Sequence, residues 1–437
     1  MVFEISMLAF GKYVTSADAT GSNTNEPSYS LSAQFGDGSM YLSIMSPDAL
    51  THVATLARGL WIVGYLDEPI LVIKTGKEII LTARENREFK FYLAPCEVDG
   101  QSGLTLLSAF FDDPVSPLLI TTPLVIADAL TEALKVLPDE FKICFFDEHN
   151  RELLSCKAYA ELGQFRTQLA VSPLLGEEYF GEMLDQGDTW FTTSTVEDDK
   201  QATSVILGED LFPSNYLITD MTRQGFQGSL GFSTTQLERP EPGTLQEVDI
   251  IYLLQRAYAA ERIIHGPLKV TDGEELVDVL ILGDEVTVLL QAKDSPNTAA
   301  NLGTKLERKR RKATSQLTDG LSQMRGALST IRREGNPKLK LVTGEELDID
   351  LSAKPLVGVV IVKELFNNCY DEYGSQILDF MDKYRIPALV FDYSQLEVMT
   401  RHCPSERELL SAFYQVFECA RDRRIYPRLR FSDRPPH

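Results

Sequence analysis

Hydrophobic and polar positions divide the chain into three regimes. From residue 1 to about 165, short apolar runs alternate with turn signals. "LWIVGYL" (60–66), "PILVIKT" (69–75) and "EIILTA" (78–83) predict strands, with turns at Asp67-Glu68-Pro69 and Thr75-Gly76. "TPLVIADALTEALKVLP" (122–138) predicts a helix, with Thr122 as cap, Pro123 at its first position and Pro138 just past its end. "FKICFFDEHNRELLSCKAY" (141–159) predicts a hairpin turning at Glu148-His149-Asn150. Residues 1–165 therefore read as an α+β domain. Residues 166–244 are rich in Gly, Ser and Thr and poor in periodic runs, as in "GFQGSLGFSTTQ" and "ERPEPGT", and read as a loop-rich bridging region.

From Leu245 the pattern sharpens. "LQEVDIIYLLQRAYAAERII" (245–264) has apolar residues at 250, 251, 254, 257, 258 and 260, the spacing of a helix. A hairpin, "VDVLILGDEVTVLLQAKDS" (277–295), comes next. A long basic helix is expected over Ala299–Arg333, with breaks at Gly303, Gly320 and Gly326. Strands at 355–365 and 386–393 alternate with helices at 374–384, 394–401 and 407–423. Residues 245–437 thus read as one further domain, and the whole chain as mixed α/β.

Composition changes this picture in one respect. The 437 residues, 43% hydrophobic and 24% charged, suit two or three globular domains. No run of about 18 apolar residues occurs, so no membrane span is expected. "MVFEISMLAFGKYV" lacks a basic start and does not read as a secretory signal. Six scattered cysteines without a C-x-x-C pair suit reduced thiols and a cytoplasmic location. The net charge of −22 is unevenly divided: residues 1–244 carry 15 Lys/Arg against 35 Asp/Glu, and residues 245–437 carry 27 against 29. Within the second part, "KLERKRRK" (305–312) places six bases in eight positions, so local charge admits a nucleic-acid partner that the net charge disfavours.

The hairpin carries the candidate chemistry. With Gly283-Asp284 as a two-residue turn, Leu282 pairs with Glu285 and position 278 with 289. Alternation then puts Asp278, Gln291 and Lys293 on one face, with Asp278 and Gln291 as diagonal neighbours. An acid, an amide and a lysine meeting there suit a metal and phosphate site. Asp278 would hold a hard divalent cation, with the Gln291 side-chain oxygen and the Ala292 backbone oxygen completing the shell. Lys293 would orient a water or stabilise charge on a phosphate. The bland reading is a hairpin with one polar face in solvent, as antiparallel strands often show.

Asp278 followed by Gln291-Ala292-Lys293 resembles the D…(D/E)-x-K core of the PD-(D/E)XK nuclease superfamily, in the Q-x-K form of Mrr-type restriction enzymes. The resemblance covers about 245–400. It implies a restriction-endonuclease-like αβββαβ core, Mg²⁺ (or Mn²⁺) as cofactor, and hydrolysis of phosphodiester bonds, with DNA favoured. In that family the preceding helix often supplies a further acid; Glu261 is the expected one, with Glu247 and Gln255 behind it. The following helix matches a basic helix with a Lys…Gln pair, here Lys312 and Gln316, four apart on one face. Lys305, Arg308, Lys309, Arg310, Arg311, Lys312 and Gln316 are the expected nucleic-acid contacts. Two departures stand out: Gln291 replaces the usual acid, and Val277 stands where a proline precedes Asp278.

A recogniser fused to such a domain resembles microbial restriction and anti-phage effectors. The acidic N-terminal domain would then bind a partner protein or ligand and gate the nuclease, or cover its basic surface by imitating phosphate charge. Near the end of the chain, Tyr426, Arg428 and Arg430 could extend a nucleic-acid surface, but a frayed charged tail is the favoured reading. The alternative is a nuclease fold without turnover that binds nucleic acid or a partner protein; a regulatory protein whose C-terminal part serves homo-oligomerisation is a third reading.

Overall fold

The computed structural model describes residues 2–6, 42, 47–65, 68–211, 216–221 and 223–432. After a first strand, β1 (Val2–Ser6), come α1 (Pro47–Thr55), β2 (Gly59–Tyr65), β3 (Glu68–Lys74) and α2 (Lys77–Asn86). Strands β4 (Glu88–Val98), β5 (Gln101–Phe110) and β6 (Leu118–Leu124) precede α3 (Ala129–Val136). The hairpin β7 (Glu140–Phe146) and β8 (Glu152–Ala160) is followed by α4 (Gly163–Val171), α5 (Phe180–Thr189), α6 (Val196–Lys200) and β9 (Thr203–Asp210). Strands β2 to β9 form one eight-stranded sheet, ordered β2-β3-β7-β8-β9-β4-β5-β6. Its pairs are antiparallel except β3–β7.

Three expectations need correction here. "EIILTA" lies in α2: Ile79 to Ala83 are all buried, and a fully buried run cannot be told from a strand by periodicity. The stretch 122–138 divides into β6 and α3, whose cap is Asp128 accepting from the Thr131 N–H. Pro123 sits in β6, an edge strand, where a missing N–H is tolerated. The region 166–244 is more than a bridge, because β9 lies inside the sheet between β8 and β4. The 141–159 hairpin forms as expected, with Asn150 in the left-handed region.

The C-terminal part begins after a short pair, β10 (Ile218–Asp220) and β11 (Ser233–Thr235). Helix α7 (Gly243–Leu254) leads to β12 (Ile263–His265), β13 (Leu268–Lys269), β14 (Val279–Leu282) and β15 (Thr287–Lys293). Next come α8 (Ala299–Leu302), α9 (Leu306–Glu334), β16 (Leu339–Lys340), β17 (Glu346–Leu347) and β18 (Leu356–Val362). The chain continues with α10 (Tyr370–Tyr384), β19 (Ala388–Asp392), α11 (Tyr393–His402), α12 (Glu406–Arg423) and β20 (Arg428–Ser432), which pairs in parallel with β1. The central sheet runs β12-β14-β15-β18-β19, antiparallel through β15 and parallel from β15 to β19. The fold is mixed α/β.

Three features of this part position the site. Helix α7 stops at Leu254 rather than running to 264, because Ile263–His265 is drawn into the sheet against β14. Helix α9 continues through Gly320, and an added Cβ there would lie 2.5 Å from Val360 Cγ1 and 3.6 Å from Lys293 Cγ. This glycine lets the helix backbone approach β15 and β18 closely. The two halves of the chain meet in a buried ionic cluster. Asp249 of α7 contacts Arg239 at 2.6 Å, Arg151 at 2.9 Å and Lys77 at 3.3 Å, and Asp147 contacts Arg151 at 2.7 Å and Lys77 at 3.1 Å. The cations Arg151 and Lys77 come from the N-terminal part, so α7 is anchored across the junction.

Candidate active site

The β14–β15 ladder pairs Leu282 with Thr287 and Val279 with Leu290. The connection is therefore four residues, 283–286, and the register moves by two from the expected one. The cause is tertiary: Glu406 of α12 accepts from the Asp284 N–H, Arg262 reaches both Asp284 and Glu406, and Lys354 donates to the Gly283 carbonyl. A shift of two preserves the faces. It also moves Asp278 from a diagonal position to one directly opposite Gln291.

Asp278 and Gln291 are both buried. Asp278 Oδ2 accepts from the Ala292 N–H at 2.6 Å and lies 3.8 Å from Lys293 Nζ. With its nitrogen turned inward, the Gln291 amide donates to Asp278 Oδ1 at 3.0 Å, Oδ2 at 3.1 Å and Gln323 Oε1 at 2.8 Å. The three polar residues of the hairpin therefore converge, as the sequence predicts.

The helix-borne acid is different from the expected one. Glu261 sits exposed in a 3₁₀ turn at the opposite end of the hairpin, next to Arg262 and its partner Asp284. Gln255 donates to the Arg223 carbonyl. Glu247 of α7 points to the site instead, its Oε2 2.8 Å from Nε2 of His265, whose neighbour in the ladder is Val279. Glu275 joins them: it is exposed as a residue, but its carboxyl lies against Gly266. Burial, with the charges of Asp278 and Glu247, pushes the Glu275 carboxyl up to about 7. Burial also raises Asp278, with Glu247 adding to the rise, against the Lys293 charge and the Ala292 N–H. Carboxylates that raise one another's proton affinity would equally favour a cation. Glu275 was legible only as an acid three residues before Asp278, and His265 carried no signal without the sheet.

The donor set fits Mg²⁺ better than a metal needing an all-protein cage. Among the described residues no group of three His, Cys, Asp or Glu stands ready to hold a metal. Mg²⁺, however, keeps several waters and takes one or two carboxylates. Asp278 supplies one. The Gln291 side-chain oxygen, turned inward, would face both Asp278 oxygens, a contact between acceptors that a cation makes favourable. The Ala292 N–H leaves β15 on the Asp278 side, and in an extended residue the carbonyl leaves on that side too.

The basic segment divides by what it touches. Lys305 occupies the N-cap position of α9 without a side-chain capping hydrogen bond, Lys309 pairs with Asp112 of the N-terminal part, and Arg310 lies 6.0 Å from the Phe366 ring. Arg311 is 3.9 Å from Glu307. Arg308 and Lys312 form no ion pair among the described residues. Gln316 donates to the Asp294 carbonyl at 2.7 Å and to Ser295 Oγ at 2.9 Å, bracing the chain just after Lys293. Tyr426 is not available for stacking: it is buried and exchanges hydrogen bonds with the Val390 backbone. No helix among the described residues is long and apolar enough to cross a membrane. A scan against protein-family models and searches of curated proteins and solved structures find no match for this chain.

Proposed function

We propose that this chain is a metal-dependent nuclease that hydrolyses phosphodiester bonds, with DNA the favoured substrate. The observation that carries the reading is the meeting of Asp278, Gln291 and Lys293 on one hairpin face, with Glu247 brought in by α7. Asp278, the Gln291 amide oxygen and the Ala292 carbonyl would hold Mg²⁺ or Mn²⁺, which, when bound, polarises a phosphoryl oxygen and acidifies a water. Lys293, held beside Asp278, places its ammonium where it orients the attacking water or meets charge developing on the phosphate. Glu247 and His265 fix the outer edge of the site.

The N-terminal part has a proposed gating role. Its Asp112 pairs with Lys309, and its Glu78 pairs with Lys363 at 2.8 Å, so two N-terminal carboxylates occupy cations of the nuclease-like part where phosphates would otherwise sit. This arrangement supports an effector held back until a partner or ligand acts, such as a microbial restriction or anti-phage protein. Six unpaired cysteines suit a reducing, cytoplasmic compartment.

Incubation of plasmid, linear duplex, single-stranded DNA and RNA with Mg²⁺, Mn²⁺ or EDTA tests the reading, with Lys293→Ala beside the wild type. Metal-dependent cleavage by the wild type, reduced about 10²–10³-fold in the variant, is expected. The neutral Gln291 favours one second reading, a binding module without turnover. Binding of these substrates without cleavage, unchanged by Lys293→Ala, would establish that reading instead.

A further inference from the structure

A cavity of about 660 Å³ lies between the N-terminal part and the start of α9, and no residue of the catalytic patch lines it. Ser295 and Lys363 place it outside the carboxyl ends of β15 and β18, which run parallel. Its volume is that of a site for one small molecule. Glu78, Asp112 and Leu118 of the N-terminal part form one wall, and α9 forms the other.

Its charges favour an anion. Lys309 and Lys363 are already paired, with Asp112 and Glu78. Arg308, Arg311 and Lys312 also line the cavity. Among the described residues, only Arg311 of these has a carboxylate within 4 Å, the exposed Glu307 at 3.9 Å. The remaining carboxyl, Glu364, is pushed up to about 7 by burial and by Glu78, so it is partly neutral near pH 7. Partial burial, with Lys363 and Arg308 close by, lowers the Lys312 ammonium. Arg308, Arg311 and Lys312 are exposed as residues, and three cations on the start of one helix favour an anionic ligand. Leu118, Leu302 and Phe366 supply an apolar side for a planar group.

We propose that this cavity binds a nucleoside phosphate as one unpaired nucleotide, its phosphate on Arg308, Arg311 and Lys312 and its base against Leu302 and Phe366. A volume of about 660 Å³ suits a single nucleotide. Gln316 links the cavity to the catalytic patch, since it lines the one and holds the backbone just after Lys293. Along α9, Lys312 to Gly320 spans about 12 Å at 1.5 Å per residue. If the nucleotide belongs to the strand being cut, which rests on the nuclease reading, the substrate is a single strand or a duplex with an unpaired base. A free nucleotide acting as an effector has the same chemistry.

Binding of adenosine monophosphate, deoxyadenosine monophosphate and a fluorescein-labelled oligothymidine to the full chain, measured in EDTA, tests the cavity apart from cleavage. The variants are Arg308→Ala with Lys312→Ala, and Ser315→Trp, which puts a ring into the cavity from an exposed helix position. Their melting curves should match the wild type. At least a tenfold loss of nucleotide or oligonucleotide affinity in both variants is expected. Competition between mononucleotide and oligonucleotide identifies the substrate strand as the source; mononucleotide binding without competition identifies a free nucleotide. Equal binding by the wild type and both variants, or no binding, overturns the proposal. Variant-sensitive binding without metal-dependent cleavage keeps the cavity and removes the nuclease reading. Cleavage with variant-insensitive binding does the reverse.

Discussion

Replacing Gln291 by Glu puts a second carboxylate about 3 Å from Asp278, where the amide now lies 3.0 and 3.1 Å from its two oxygens. Two ionised carboxylates at that separation repel by roughly 5–6 kcal/mol at an effective dielectric constant near 20. Protonating one of them at pH 7 costs about 3.7 kcal/mol, from a reference value near 4.3 and 1.36 kcal/mol per unit. Protonation is cheaper, so the folded variant should hold one shared proton. Its folded proton affinity is then above the unfolded one. The destabilisation is therefore absent below about pH 4 and grows as pH rises, by about 2.7 kcal/mol between pH 5 and pH 7. The shared proton takes over the amide's donation to Asp278, so only the donation to Gln323 is lost, about 0.5–1.5 kcal/mol at any pH. A cation that replaces the proton should reverse the trend, restoring about 2.7 kcal/mol at a hundredfold excess over its dissociation constant. Urea unfolding of both forms at pH 5 and pH 7, with EDTA or with Mg²⁺, measures all of this. A variant whose stability follows the wild type across pH, or gains no more from Mg²⁺, would show that Gln291 and Asp278 do not share a cation site.

Other substitutions probe the same geometry. Glu247→Gln should weaken Mg²⁺ binding at least tenfold by titration, whereas Glu261→Gln should leave it unchanged; the reverse order would return the helix acid to Glu261. Asp249→Ala leaves Arg151 and Lys77 with Asp147, and Arg239 with no carboxylate within 4 Å among the described residues; it should cost about 3–5 kcal/mol in urea unfolding, and a loss below about 1 kcal/mol would show the cluster to be solvated. Gly320→Ala gains about 1 kcal/mol in helix propensity but meets Val360 at 2.5 Å, so a net loss of about 1–2 kcal/mol and slower cleavage are expected; a stabilised, fully active variant would mean that α9 can shift freely.

The core of the candidate site was legible because it depends on parity alone. Asp278, Gln291 and Lys293 lie at positions whose alternation survives any even change of register. A turn opened from two residues to four by Glu406 therefore left them together. Local pattern also sufficed for the β7–β8 hairpin and for a long basic helix after β15. It failed where burial was complete. Ile79 to Ala83 carry no period to show that they are helical, and the apolar spacing of 245–264 could not reveal that β14 captures Ile263–His265 as a strand. That capture ends α7 early and sends Glu261 to the far end of the hairpin, leaving Glu247 to face His265. The sequence by itself determined which side chains share a face, since alternation along a strand is a property of the backbone. Only the tertiary structure decided which acid joins them, why Gly320 must lack a side chain, and that N-terminal carboxylates reach Lys309 and Lys363. Those depend on where distant segments pack, and no local spacing encodes that.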